Sequence, residues 1–113
     1  MCGRFAQIEP IDSIAQRLGI DEVLIDTIAP RYNISPGEDV VALVHTKKKS
    51  LVLLRWGFIP YWVRDISRVK PLINARGETV AVKPGFKKAF FNNRCIILAS
   101  GFYEWKKEGS KKI

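Results

Sequence analysis

Histidine and cysteine, the usual ligands of structural zinc, are scarce in this sequence of 113 residues, which contains one histidine and two cysteines. Those three side chains do not complete the ligand set of a conventional structural zinc site, so we expect no metal centre. A disulfide between Cys2 and Cys95 is formally possible, but nothing in the sequence indicates an oxidising compartment. We therefore expect both thiols to be reduced.

Long hydrophobic runs are also missing. The longest, such as Leu51–Leu54 and Cys95–Ala99, are far shorter than the roughly 20 residues that span a bilayer. Cys2, Gly3 and Arg4 follow Met1, with no apolar stretch of the kind found in a signal peptide. These absences predict a soluble, cytoplasmic protein with no membrane partner.

Acidic residues are few relative to basic ones. Eleven Asp and Glu oppose 19 Lys and Arg, which gives a net charge of +8. A basic domain of this size favours a polyanionic partner such as nucleic acid, although charge that only keeps the protein soluble is an alternative. The length suits one small domain, and a hydrophobic content of 47% is enough for a core.

The periodicity of apolar residues predicts strands and short helices. Ile11, Ile14, Ala15 and Leu18 form one apolar stripe of a helix, which Gly19 ends. A hairpin is predicted from two strands, 40–45 and 51–58, around a lysine-rich turn at 47–50. Further predictions are a short helix after Pro84, a buried strand at 95–99 and a charged hairpin at 106–113.

Cys2 is the most informative single position. Removal of Met1 would leave an N-terminal cysteine, in which an amine and a thiol lie on adjacent carbons. The α-amine has a pKa of about 8, so part of it is neutral and nucleophilic at physiological pH. Such a 1,2-aminothiol captures aldehydes as a five-membered thiazolidine. By position alone, the simpler interpretation is that Cys2 is a small second residue with no chemical role.

Asn74 and Arg76 form a second candidate pair. If this segment is extended, alternation places both side chains on one face. Arginine binds phosphate through two parallel hydrogen bonds, and asparagine both donates and accepts, so the pair suits an oxygen-rich ligand. A turn with a capping Asn74 and a surface Arg76 is the simpler interpretation.

Glu104 lies among three aromatic residues in the segment Gly101–Trp105. Partial desolvation there would raise the pKa of the carboxyl group and suit it to proton transfer. An edge-strand Glu104 that faces water is the alternative. Trp105 is suited to stacking on a base or to closing the core. Tyr61–Trp62 and Trp56 are predicted to be core aromatics, His45 to be structural and Cys95 to be buried.

Six blocks of this sequence resemble the SRAP family (SOS response-associated peptidase), the abasic-site processing proteins. They occur in family order and are Met1–Phe5, Arg31–Pro36, Leu54–Pro60, Ile73–Thr79, Arg94–Ile97 and Gly101–Trp105. Family members are longer and carry a histidine in a His-x-Arg-Met-Pro-like motif that is absent here. The resemblance therefore implies that residues 1–113 are the N-terminal portion of an SRAP domain.

The resemblance implies a function in the response to DNA damage. The protein would bind single-stranded DNA at an abasic site and link to it covalently through Cys2. By analogy, Asn74 positions the sugar or the N-terminal amine, and Glu104 acts in proton transfer and in removal of Met1. Arg4 and Arg76 hold phosphate, and Trp105 packs against the DNA. No cofactor is implied.

The family fold is α+β, a bifurcated mixed β-sheet with barrel-like curvature and peripheral short helices. Strands and short helices without βαβ alternation agree with that class. Two other functions stay open at this point. One is a non-covalent module that binds single-stranded nucleic acid, and the other is a cysteine-type peptidase that cleaves other proteins.

Overall fold

The computed structural model describes residues 2–109, 111 and 112, which form two principal β-sheets, two α-helices and a short hairpin. The strands are β1 (Phe5–Gln7), β2 (Glu22–Val23), β3 (Arg31–Ile34), β4 (Asp39–His45), β5 (Lys49–Arg55), β6 (Ile96–Ile97), β7 (Gly101–Phe102), β8 (Lys107–Glu108) and β9 (Lys111–Lys112). The helices are α1 (Ile11–Leu18) and α2 (Pro84–Asn92), and a 3-10 turn covers Ile66–Arg68.

The larger sheet has the strand order β2-β5-β4-β6, and the smaller has the order β3-β1-β7. The pair β2–β5 is parallel and the other pairs are antiparallel, so the larger sheet is mixed. Over the described residues the two sheets do not close into a barrel. The α+β class expected from the sequence is confirmed.

Helix α1 follows the predicted apolar stripe. Ile14 is almost fully buried against Val41 and Leu51 of the larger sheet. Burying one such side chain stabilises a fold by about 1.5–3 kcal/mol. Gly19 ends the helix with a positive φ of 63°, a conformation that glycine adopts without steric cost. The helix therefore covers one face of the larger sheet.

A second cluster joins the two sheets. Phe5 and Ile34 from the smaller sheet pack against Val40 from the larger one, and all three are buried. Cys2 and Trp56 pack against this cluster as partly buried neighbours. The N-terminal residues are thus held at the junction of the two sheets.

Three predicted elements differ in extent. Strand β5 begins at Lys49 and ends at Arg55, because Lys49 pairs with His45 and Phe58 instead bridges Leu72. The predicted strand 95–99 is reduced to β6 and is exposed, since it is the edge strand of the larger sheet and has one neighbour. The predicted C-terminal hairpin is present as β8 and β9, while Ser110 and Ile113 lie outside the described residues.

Candidate functional site

Cys2 lies just before β1, at the junction of the two sheets. Its side chain is partly buried against the cluster around Phe5. The Sγ atom lies 3.6 Å from the backbone oxygen of Arg4, to which it donates a weak hydrogen bond. The thiol of Cys2 is therefore held next to the backbone that enters β1.

Asn74 contacts the same residue from a distant part of the chain. Its Nδ2 donates a hydrogen bond to the backbone oxygen of Cys2 at 3.0 Å, and the bond is partly buried. Arg76 is exposed and lies two residues further on, where its backbone oxygen accepts hydrogen bonds from Thr79 and Val80. The structure thus brings Asn74 to Cys2 and leaves the guanidinium of Arg76 at the surface.

Trp56 explains why Asn74 reaches this position. Its indole Nε1 donates to the backbone oxygen of Ile73 at 3.0 Å, and its ring lies 5.4 Å from that of Phe5. Leu72, the residue before Ile73, exchanges two backbone hydrogen bonds with Phe58, of 2.7 and 2.8 Å. One indole ring therefore joins the segment that carries Asn74 to the strand that follows Cys2.

Arg4 is oriented by a residue that the sequence did not single out. Its Nη1 donates to Oδ1 of Asn33 at 3.1 Å, and both residues are exposed. Asn33 belongs to β3, which pairs with β1 beside Arg4. The Arg31–Pro36 block of the family resemblance contains Asn33 and was the available signal.

Tyr103 connects the C-terminal segment to the same place. Its backbone N–H donates to the oxygen of Arg4 at 2.9 Å, and its hydroxyl donates to the oxygen of Tyr32 at 2.8 Å. Glu104 follows it directly and is an exposed residue. It lies just after β7, the outer strand of its sheet, which has β1 as its described neighbour.

Trp105 is 69% exposed, an indole at the surface next to Glu104. Within the part of the chain that the structure describes, no hydrogen bond or ring contact joins Trp105 to Cys2, Arg4 or Asn74. Among the site residues, Cys2 is hydrogen-bonded to Arg4 and Asn74, and Arg4, Arg76, Glu104 and Trp105 are all exposed.

Three expectations about burial are wrong. Cys95 is exposed because it precedes the edge strand β6. Tyr61 and Trp62 are also exposed, because they lie in a turn after the bridge at Phe58, where their rings meet edge to face outside the core. Trp56 does pack against the core, as expected. His45 is exposed at the end of β4, where it pairs with Lys49 of β5.

Glu38 is the carboxyl group with the clearest electrostatic shift. Its pKa is lowered from 4.5 to about 2, first by the Ser35 hydroxyl and then by the backbone N–H of Ser35 and the guanidinium of Arg31. The N–H of Ser35 and Nη2 of Arg31 each lie 2.8 Å from a carboxylate oxygen of Glu38. These bonds fasten the turn between β3 and β4 to the side chain of Arg31.

Over residues 2–109, 111 and 112, no group of three or more His, Cys, Asp or Glu residues is placed to hold a metal ion. None of the helices in the same residues has the length and apolar character needed to cross a bilayer.

The architecture matches that of a solved protein of Bacteroides thetaiotaomicron. The TM-score is 0.79 at 24% identity, and the match covers 99% of this chain and 52% of that one. It defines the fold as the mixed α+β arrangement described above.

The sequence identifies the family within that fold. A family model described as SOS response associated peptidase (SRAP) matches residues 1–113, and the chain belongs to this family. It is 39% identical over 109 residues to the abasic site processing protein YoqW of Bacillus subtilis (strain 168), covering 95% of this chain and 49% of the relative. It is 39% identical over 121 residues to the abasic site processing protein YedK of Escherichia coli (strain K12), covering 99% and 51%. The chain thus spans about half the length of these relatives.

Proposed function

We propose that this chain processes abasic sites in single-stranded DNA and captures them covalently through Cys2. The observation that carries the proposal is the hydrogen bond from Nδ2 of Asn74 to the backbone oxygen of Cys2. The names of the relatives, abasic site processing proteins, support the substrate. The net charge of +8 supports binding to a polyanion.

The chemistry begins with hydrolysis of the bond between Met1 and Cys2, which frees the α-amine. The neutral amine attacks the aldehyde carbon of the ring-opened deoxyribose, and loss of one water gives an imine. The thiol then adds to the imine carbon, its proton passes to nitrogen and a thiazolidine forms. The balance is one aldehyde and one aminothiol converted into one thiazolidine and one water. No oxidant or reductant is consumed.

The surrounding residues have distinct proposed roles. Asn74, bonded to the oxygen of Cys2, holds the N-terminal residue in place while the aldehyde approaches. Glu104 accepts and returns the protons that move during Met1 removal and imine formation. Its position directly after Tyr103, whose N–H is bonded to Arg4, supports this assignment.

The exposed groups are proposed to bind DNA. Arg4 and Arg76 have exposed guanidinium groups suited to phosphate, and the exposed indole of Trp105 is suited to packing against a base next to the lesion. The covalent link would shield the abasic site from strand cleavage. In this proposal the peptidase activity is self-processing of Met1, and the crosslink resembles the first steps of a lyase.

The test uses an oligonucleotide with one natural abasic site. Intact mass first establishes whether Met1 has been removed. The chain should then form an adduct at Cys2 that survives denaturation without borohydride, because a thiazolidine carries no imine that water can hydrolyse directly. Cys2→Ala retains an amine, so its crosslink should be labile and should need reductive trapping.

Glu104→Gln has nearly the same volume but cannot accept a proton. It should slow adduct formation by about 100-fold or more and leave a larger fraction of Met1 uncleaved. Equal adduct yields from Cys2→Ala and the parent chain, without reductant, would refute covalent capture and leave a non-covalent binding module. Cleavage of added peptides would instead indicate a peptidase that acts in trans.

A further inference from the structure

A groove lies between α2 and the turn that follows Phe58. Its volume is about 340 Å³, at the lower end of the range for small-ligand sites. Most of the lining is apolar or aromatic, and Lys88 and Asn93 supply polar groups; the lining residues are Phe58, Ile59, Tyr61, Gly85, Lys88, Ala89 and Asn93. We call this surface the α2 groove.

The α2 groove combines an exposed aromatic ring with a positive charge. Tyr61 is 67% exposed, and the ammonium group of Lys88 lies over its ring, 4.6 Å from the ring centre. The exposed part of an aromatic ring can stack on any nucleobase, and a lysine in contact with the ring can neutralise the adjoining phosphate. This pair has the chemistry needed to hold one nucleotide of a single strand.

The net positive charge of the chain is concentrated in the C-terminal part of its sequence. Residues 1–65 contain eight basic and eight acidic residues, whereas residues 66–113 contain eleven basic and three acidic. The whole excess of +8 therefore belongs to the second segment, which includes α2. No acidic residue occurs between Glu78 and Glu104, a stretch that includes Lys83, Lys87 and Lys88. The charge complements a phosphate backbone.

Few contacts separate the α2 groove from Cys2. Phe58, which lines it, is bonded to Leu72, and Asn74, which contacts Cys2, is two residues further on. Two residues span at most about 7 Å between Cα atoms. The short segment from Leu72 to Asn74 therefore connects the wall of the α2 groove with the residue that contacts Cys2.

We infer that the α2 groove binds a nucleotide that flanks the abasic site on the same strand, with its base against Tyr61 and its phosphate on Lys88. This inference rests on the proposed function and adds a second contact outside the reacting residues. The groove would thereby help to select single-stranded DNA, because a base must be unstacked to enter it.

The experiment separates binding from covalent capture. Fluorescent single strands carry tetrahydrofuran, an abasic analogue without an aldehyde, and their affinity is measured by anisotropy. Further strands lack the base on the 5′ or the 3′ side of the tetrahydrofuran. The parent chain should lose affinity when the base on one of these sides is removed.

Tyr61→Leu should weaken binding of the complete strand about five- to 100-fold. Removal of the base that matters to the parent chain should not lower the affinity of Tyr61→Leu further. Tyr61→Phe should retain parental affinity. Lys88→Met should lower the slope of log K against log salt by about 0.7. The matched controls are Phe91→Leu, an exposed aromatic of α2 outside the groove, and Lys48→Met in the lysine-rich turn.

If Tyr61→Leu and Lys88→Met both bind every strand with the affinity of the parent chain, the inference is overturned. If the parent chain then still crosslinks a natural abasic site at Cys2, the proposed function stands without the groove. Conversely, groove-dependent binding without any adduct at Cys2 would overturn covalent capture and leave the groove. The two failures are therefore distinguishable.

Discussion

Asn74 donates a 3.0 Å hydrogen bond to the backbone oxygen of Cys2 across a sequence separation of 72 residues. This bond joins the second residue of the chain to a segment that is remote in sequence. Trp56 supports this bond, because its indole N–H donates to the backbone oxygen of Ile73, the residue before Asn74.

Asn74→Ala should slow adduct formation about five- to tenfold. A hydrogen bond of this kind contributes about 1 kcal/mol, and about 1.4 kcal/mol corresponds to a factor of ten in rate. The measurement is the single-turnover rate of crosslinking to an abasic oligonucleotide. Asn92→Ala is the matched control, since Asn92 makes a 3.0 Å bond to a backbone oxygen within α2. Equal rates for the two variants would contradict the proposed role of Asn74.

Trp56→Phe should slow crosslinking through the same segment. A phenyl ring retains apolar contact with Phe5 but lacks the N–H that binds the oxygen of Ile73. Because Trp56 and Asn74 act on one segment, the effects of Trp56→Phe and Asn74→Ala should be less than additive in the double variant. Strictly additive losses would show that the two side chains act independently.

Gly57→Ala should destabilise the fold by about 1–3 kcal/mol. A Cβ atom at Gly57 would lie 2.9 Å from Cβ of Pro71, closer than real Cβ contacts allow, and φ there is 156°. The displaced Pro71 immediately precedes the bridge at Leu72. Denaturant unfolding measures the loss. Gly77→Ala is the control, because nothing lies within 4 Å of a Cβ at Gly77. The prediction fails if both variants unfold at the same midpoint.

Acid should remove the stabilisation that Glu38 provides. Its folded pKa of about 2 lies below the ordinary 4.5, so the carboxylate stabilises the folded state fully above about pH 4.5, and this contribution is lost as the pH falls through 2. Glu38→Gln should therefore melt at a lower temperature than the parent at pH 5–7. The gap in melting temperature should be constant across pH 5–7 and narrow from pH 4.5 to 2. A gap that does not narrow in acid would contradict the bonds from Ser35 and Arg31.

The outer strands β6 and β7 should promote self-association of the 113-residue chain. Ile96 and Phe102 are 60% and 67% exposed there, and neither strand has a partner on its outer edge among the described residues. Unpaired, apolar edges are templates for pairing with another chain. Sedimentation velocity should show concentration-dependent association that Ile96→Lys reduces. Val82→Lys, at an exposed position outside the sheets, is the control, and a monomer at every concentration would disprove the prediction.

Local patterns were sufficient for several elements of the fold. The apolar stripe of α1 and its end at Gly19 were predicted from spacing alone, because a helix and its left-handed cap depend on residues within one or two turns. The hairpin of β4 and β5 was also predictable, although its ends moved by a few residues. Strand ends depend on which neighbour completes the ladder, and that neighbour is remote in sequence.

Exposure was predicted less well than secondary structure. Cys95, Tyr61 and Trp62 have the composition of core residues, yet all are exposed. Composition shows which side chains favour burial, but burial also needs a covering element. Cys95 precedes the edge strand β6, and α2 contacts Tyr61 through Lys88 but leaves the tyrosine 67% exposed.

The sequence by itself determined the chemistry that is available: an aminothiol at Cys2 once Met1 is removed, the family, the helix α1 and the net positive charge. The tertiary structure decided which groups meet. The bond between Asn74 and Cys2, the orientation of Arg4 by Asn33 and the support from Trp56 all join residues that are far apart in the chain. Such contacts form only when the sheets pack around Phe5, Ile34 and Val40, because packing brings remote segments together and local propensity does not.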